Sequence, residues 1–251
     1  MNAAEMLRQR LAELAAAFAL LTRLPVHRTR VTVPSEAVWA YPVVGAAVGA
    51  IGGAVYWFTH SLSCPPALAA LCALAAMILV TGALHEDGLA DFADGLAGDT
   101  KELSLSIMRD HQIGTYGVLA LMLSLAVRAT AIALIGEPAA VMAALAAAAA
   151  ASRLTAVLIM AALPPARRDG MSASVGSPTA GLAAIALGVT FVIAWLLLPL
   201  GVALLLILSA SVSAIVLGRV ALQQLGGQTG DVLGASSQIC ECLALIVLVV
   251  A

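Results

Sequence analysis

Seven apolar stretches, residues 38–58, 67–84, 113–135, 139–163, 179–198, 201–218 and 239–251, leave this chain few folds to choose from. A helix needs about 20 apolar residues to cross the hydrocarbon core of a bilayer. Most of the stretches have that length; the last is short and is expected to begin a few residues earlier. At 62% hydrophobic residues and a mean hydropathy of +1.05, the chain is far more apolar than a soluble domain. Two-residue alternation is absent, which argues against a transmembrane β-barrel. Backbone polar groups in lipid must pair locally, so the stretches are expected to be helices. The expected fold is all-α: a polytopic transmembrane helix bundle, one domain over residues 1–251, with about seven spans and an N-terminal interfacial helix.

Charge sets the expected orientation. Arg8, Arg10, Arg23, Arg28, Arg30, Lys101, Arg109, Arg167, Arg168 and Arg219 all fall on the side of the N-terminus, while the opposite loops at 59–66, 136–138 and 199–200 carry neither Lys nor Arg. The positive-inside rule then places the N-terminus in the cytoplasm and, with an odd number of spans, the C-terminus outside. Four segments face the cytoplasm on this reading: an interfacial segment at 1–37, an acidic loop at 85–112, a loop at 164–178 and a Gly-rich loop at 219–236. Within residues 1–24, Leu7, Leu11, Leu14 and Phe18 repeat at helical spacing, while Glu5 and Glu13 interrupt the apolar run. That pattern suits a helix lying in the membrane interface; an eighth, poorly inserted span is the alternative.

The charge that remains is concentrated. His85, Glu86, Asp87, Asp91 and Asp94 place five ionisable side chains in ten positions of a chain that is only 10% charged. On a helix, Asp91 lies about 40° from Asp87 and Asp94 about 20° on its other side, so the three aspartates share one stripe. Like charges at that spacing repel, and no Lys or Arg occurs between Arg30 and Lys101. A bound cation would relieve the repulsion, and oxygen-only donors point to a hard ion, Mg²⁺ or Mn²⁺. The bland alternative is a solvated acidic loop. His85 reads as a structural histidine or as support for a metal or phosphate.

Other polar clusters fall on the same side. Arg109 and Asp110 precede the third span, Arg128 and Arg153 interrupt apolar stretches, and Gly226, Gly227 and Gly230 surround Gln228 and Thr229 just before Asp231. A cation inside a span needs a partner or a polar cavity; ion pairing within the bundle and phosphate binding both remain open for the two arginines. A Gly-rich turn lets a backbone approach a ligand and can offer amides to an anion. Gly45, Gly49 and Gly53 instead suggest a helix-packing face, and Cys64, Cys72, Cys240 and Cys242 read as structural thiols. Together these residues describe a membrane enzyme acting on a phosphate ester.

The chain resembles the cobalamin synthase (adenosylcobinamide-GDP ribazoletransferase) family nearly end to end. The resemblance rests on Leu21-Thr22-Arg23-Leu24-Pro25, Tyr41-Pro42-Val43-Val44-Gly45, His85-x-Asp87-Gly88-Leu89-Ala90-Asp91-x-x-Asp94-Gly95, and Ile107-Met108-Arg109-Asp110-x-x-Ile113-Gly114-x-x-Gly117. It continues in Ser152-Arg153 and Gly226-Gly227-Gln228-Thr229-Gly230-Asp231-x-Leu233-Gly234-Ala235. Glu86 stands where the family often has an apolar residue and His111 where serine is common, and the segment 166–178 is shorter than in some relatives.

The resemblance implies that adenosylcobinamide-GDP and α-ribazole, or its 5′-phosphate, are joined with release of GMP at a bacterial inner membrane. Asp87, Asp91 and Asp94 would hold Mg²⁺, and Asp110 and Asp231 would be further ligands or the general base. His85, Arg109, Arg153, Gly227, Gln228, Thr229 and Gly230 would contact phosphates or substrate. A homo-oligomer or a complex with other late cobalamin-pathway enzymes is compatible with such a role; a nucleic-acid partner is not expected. A CDP-alcohol lipid phosphotransferase is the nearest alternative, although its motif carries Arg where this chain has Asp91. A transporter with an acidic gate is a more distant one, because the charge lies almost wholly on one face.

Overall fold

The computed structural model describes residues 3–26, 34–110 and 112–251. Arg28, Arg30 and His111 lie outside the described residues. Among the described residues eleven α-helices follow one another and there is no β-strand. The helix α1 (Ala3–Leu21) leads, after a 3₁₀ segment Pro34–Ala40, into α2 (Tyr41–Ser61), α3 (Pro66–Thr81), α4 (Leu84–Gly95) and α5 (Lys101–Ile107). Then come α6 (Thr115–Ile135), α7 (Pro138–Ala162), α8 (Met171–Val175), α9 (Ala180–Leu197), α10 (Leu200–Leu225) and α11 (Gly230–Val250).

Among the described residues six helices, counting α2 with its 3₁₀ segment, are long and apolar enough to cross a membrane, or seven if the bent pair α3–α4 is one span. The bend is 89°. Gly82 (φ +67°) and Ala83 (φ +58°), both left-handed, end α3 and start α4 in a new direction. With five ionisable side chains in its twelve residues, α4 is read as lying along the membrane face at the end of the span that α3 supplies.

Several boundaries move from their sequence expectation, and three expected loops hold more helix. The acidic segment 85–112 is not a loop but carries α4 and α5, and the 164–178 segment holds the short helix α8. The 219–236 loop shrinks to residues 226–229, because α10 runs on to Leu225 and α11 starts at Gly230. The hydroxyl of Thr229 accepts the amide of Val232 and caps that early start. Helix α1 keeps Leu7 and Leu11 exposed while Ala17 and Leu21 are buried, the division expected of a helix lying on the bundle.

The core is a close stack of α2 on α7. A Cβ at Gly53 would meet Met142 Cα at 2.6 Å, and at Gly45 it would run into the backbone of Ala149. The alanines 146–151 of α7 are all buried. Small residues on both partners let the backbones approach, which is how helices without a water-driven force between them pack in lipid.

Candidate active site

Two glycines bring the acidic helix to the Gly-rich turn. A Cβ on Gly88 would stand 3.0 Å from the carbonyl oxygen of Asp231, and one on Gly234 would stand 3.2 Å from Gly88 Cα. The start of α11 therefore rests directly on α4, and Asp231 comes to the same opening as Asp87. These two packing glycines belong to the motifs, yet their task becomes visible only when the two helices cross.

The opening is a cavity of about 270 Å³ lined by His85, Asp87, Arg153, Arg167, Gly230 and Asp231, with apolar walls from Leu20, Tyr41, Met160 and Met171. Five of the sequence-predicted residues meet there although they lie on α4, α7 and α11. Arg153 is buried on α7, with Nη1 2.9 Å from Ser152 Oγ. His85 is buried and its Nδ1 has no hydrogen-bond partner. Burial first, then the charges of Arg153 and Arg128, push its imidazole well below the usual histidine range, so the ring is neutral at physiological pH. A neutral ring facing a cavity can donate to or accept from a ligand.

Asp91 stands one turn beyond Asp87 on α4. Burial, reinforced by the negative charges of Asp87, Asp231 and Asp94, pushes its carboxyl up to about 6, with Arg167 acting in the opposite sense. The aspartates at this end of the molecule are short of positive charge. Asp231 has one close cation, Arg167 at 3.6 Å, and also accepts the Thr229 hydroxyl at 3.2 Å.

Asp94 has a different surrounding from the other two aspartates of its stripe. Its two carboxylate oxygens accept the amides of Gly114 at 2.7 Å and Gly117 at 2.8 Å, so it caps the first turn of α6. A Cβ on Gly114 would stand 2.5 Å from Asp94 Oδ1. Sequence spacing aligns the three aspartates on one stripe, and a neighbouring helix start packs against the third.

The remaining predicted residues sit away from the cavity lining. Arg109 is exposed and forms a two-oxygen pair with Asp169 at 2.9 and 3.0 Å. Asp110 accepts the amide of Gln112 in an exposed turn. In the Gly-rich turn, the Gln228 amide donates to Pro164 O and its carbonyl accepts from Ala166. A Cβ on Gly227 would collide with the Pro164 carbonyl. The turn thus fastens the 164–166 segment beside the cavity, and Thr229 caps α11. Gln228 keeps both side-chain polar atoms buried without a partner.

Beneath the cavity lies a second charged set. Arg128 on α6 reaches Glu86 on α4 at 3.4 Å and Glu241 on α11 at 3.2 Å, all three buried. Gln238 donates to Glu86 at 3.1 Å, and Arg153 stands 4.0 Å from the other oxygen of Glu241. Arg128 is thus an ion-pair residue of the bundle. Arg153 combines both tasks that its position allowed, pairing loosely below and facing the cavity above. Sequence reasoning passed over Glu241, although a lone carboxylate in an apolar final span is as strong a signal as a lone arginine. It also counted Arg167 only as one charge among many on its side.

The chain matches the cobalamin-5-phosphate synthase family over residues 13–249. It is 46% identical to the adenosylcobinamide-GDP ribazoletransferase of Bradyrhizobium diazoefficiens over 247 residues, covering 97% of this chain and 95% of the relative. Proteins of the same name from Mesorhizobium japonicum and Azorhizobium caulinodans are each 40% identical, over 97% and 83% of this chain and 95% and 81% of theirs. No solved structure matches.

Proposed function

This chain belongs to the cobalamin-5-phosphate synthase family, and from that premise we propose how its cavity carries out the reaction. The chain is a transferase that joins adenosylcobinamide-GDP to α-ribazole or its 5′-phosphate, yielding adenosylcobalamin or its 5′-phosphate and GMP. The ribose 3′-hydroxyl oxygen attacks the phosphorus on the cobinamide side. A new O–P bond forms as the P–O bond to GMP breaks, and the hydroxyl proton passes to a carboxylate. The single observation that carries this assignment is the meeting of Asp87, Asp231, Arg153 and His85 around one cavity.

Asp231 is the candidate general base, because it faces the cavity from a helix start fixed by Thr229 and Gly234. Arg153 and neutral His85 bind and orient the diphosphate. The apolar wall of Leu20, Tyr41 and Met160 limits water around the reacting phosphorus. Asp87 and Asp91 are the candidate Mg²⁺ ligands. The donor set fits the ion, since it is all oxygen and carries more negative charge than Arg167 offsets. Among the described residues no three His, Cys, Asp or Glu side chains close a metal cage. Mg²⁺ takes one or two carboxylates and completes its shell with water and substrate phosphates. Bound there, the ion would neutralise diphosphate oxygens and ease departure of GMP.

The charge bias supports an inner-membrane location with the N-terminus and the cavity on the cytoplasmic side, where nucleotide substrates are supplied. The assay is direct: purified protein in liposomes receives adenosylcobinamide-GDP and α-ribazole 5′-phosphate, and GMP is followed with Mg²⁺ or with EDTA. GMP release that stops in EDTA and returns with Mg²⁺ is the expected result. A folded preparation that releases no GMP under any metal condition would overturn the reading.

A further inference from the structure

We propose that Arg167 is a second phosphate-binding residue of this cavity, paired with Asp231 until a diphosphate enters and then moving its guanidinium to the phosphate. The inference rests on the phosphoryl-transfer reading above and assigns a residue to that same site.

Arg167 and Arg153 are the two arginines that line the cavity, and they differ in their company. Arg153 belongs to a buried set in which two arginines, Arg128 and Arg153, face two carboxylates, Glu86 and Glu241. It meets the diphosphate from within that set, where it shares Glu241 with Arg128. Among the described residues Arg167 makes one ion pair, with Asp231, through one nitrogen at 3.6 Å. A well-made guanidinium–carboxylate contact is closer to 2.7–2.9 Å. Its other terminal nitrogen, Nη1, is buried and has no hydrogen-bond partner. A structural pair would satisfy both nitrogens; this one leaves a donor in reserve beside the opening.

The backbone allows the exchange. The base of the segment is held where Pro164 and Ala166 bond to Gln228, so Arg167 starts from a fixed point. Just beyond it, Gly170 turns the chain at φ +104° ahead of α8, whose Met171, Ser172 and Val175 also line the cavity. A planar fork of donors matches two phosphate oxygens better than it matches one carboxylate oxygen at long range. When Arg167 turns to the phosphate, Asp231 loses its counter-charge and gains the basicity that proton abstraction requires. One movement would then couple substrate binding to activation of the base.

The test compares wild type with Arg167→Gln, Arg167→Lys and Arg219→Gln; the last removes an exposed charge from the same side of the bundle. Binding of inorganic diphosphate is measured by calorimetry in EDTA, and KM is measured separately for adenosylcobinamide-GDP and for free α-ribazole. Loss of one charge-assisted contact should weaken diphosphate binding about tenfold or more in Arg167→Gln. The KM for adenosylcobinamide-GDP should rise comparably while that for α-ribazole stays unchanged. Arg167→Lys should fall between, and it decides the matter by the same readouts if Arg167→Gln does not fold. Wild-type diphosphate affinity in the Arg167 variants, or an equal loss in Arg219→Gln, overturns the proposal. A wild type that binds diphosphate but never releases GMP would instead overturn the functional reading on which it rests.

Discussion

Glu86 and Asp87 are neighbours on α4, yet their surroundings are opposite. A helix turns about 100° per residue, so Glu86 points into the bundle, where Arg128 and Gln238 meet it, while Asp87 points into the cavity. The inner set, Glu86 and Glu241 with Arg128 and Arg153, balances charge for charge and ties α4, α6, α7 and α11 together. The outer set, Asp87, Asp91 and Asp231, has Arg167 as its close cation. Charges buried in balance hold helices in place; carboxylates left in excess beside an opening are ready for a cation and a phosphate. The first set builds the platform on which the second works.

Disturbing the inner set should have the largest effect. Arg128→Met leaves Glu86 and Glu241 buried without their cation, at a cost of about 3–5 kcal/mol. The protein should be lost from the membrane, or unfold at a much lower temperature in detergent. Arg128→Met with wild-type thermal stability would dissolve the distinction between the two sets.

The outer set should respond in rate rather than in folding. Asp231→Asn should lower kcat by about 10²–10⁴, the usual contribution of a general base, with unchanged membrane levels and unfolding temperature. A fall in protein level that matched the fall in rate would instead place Asp231 with the structural charges.

Asp94 sharpens the comparison because it shares a stripe with Asp87 and Asp91 but behaves as a cap. Asp94→Asn should cost about 1–2 kcal/mol of stability through the loosened start of α6. Its requirement for Mg²⁺ in the turnover assay should remain that of the wild type. A raised Mg²⁺ requirement would return Asp94 to the metal ligands.

The smallest effect is expected at Arg109. Its pair with Asp169 is exposed on both sides, and such pairs contribute about 0–1 kcal/mol. Arg109→Ala should shift the unfolding temperature hardly at all, and a large shift would mean that the 166–170 segment is anchored there.

The fold was legible because lipid demands long apolar helices, and that demand is written in runs such as 139–163 and in the Gly45-Gly49-Gly53 face. Helix ends were less legible. The early start of α11 depends on Thr229 capping, and the turn at Gly82–Ala83 depends on two left-handed residues that apolarity does not mark. In the site, residue type pointed to His85, Asp87, Arg153, Gly230 and Asp231, which do meet. Spacing alone did not show that Asp94 caps α6, since a helical wheel shows which residues share a face but not which helix start packs against it. Gly227 and Gln228 were legible as a special turn but not as a clasp on Pro164, a contact made across more than sixty positions of sequence.

Binding of Mn²⁺ as a stand-in for Mg²⁺, followed by electron paramagnetic resonance in the presence of GDP, tests most directly that the outer aspartates form the reactive centre. Wild type, Asp87→Asn, Asp231→Asn and Asp94→Asn would be compared as folded proteins in detergent. Bound Mn²⁺ is expected in wild type, with its loss in Asp87→Asn and its retention in Asp94→Asn and Asp231→Asn. Mn²⁺ that stays bound in Asp87→Asn but leaves with Asp94→Asn would contradict it.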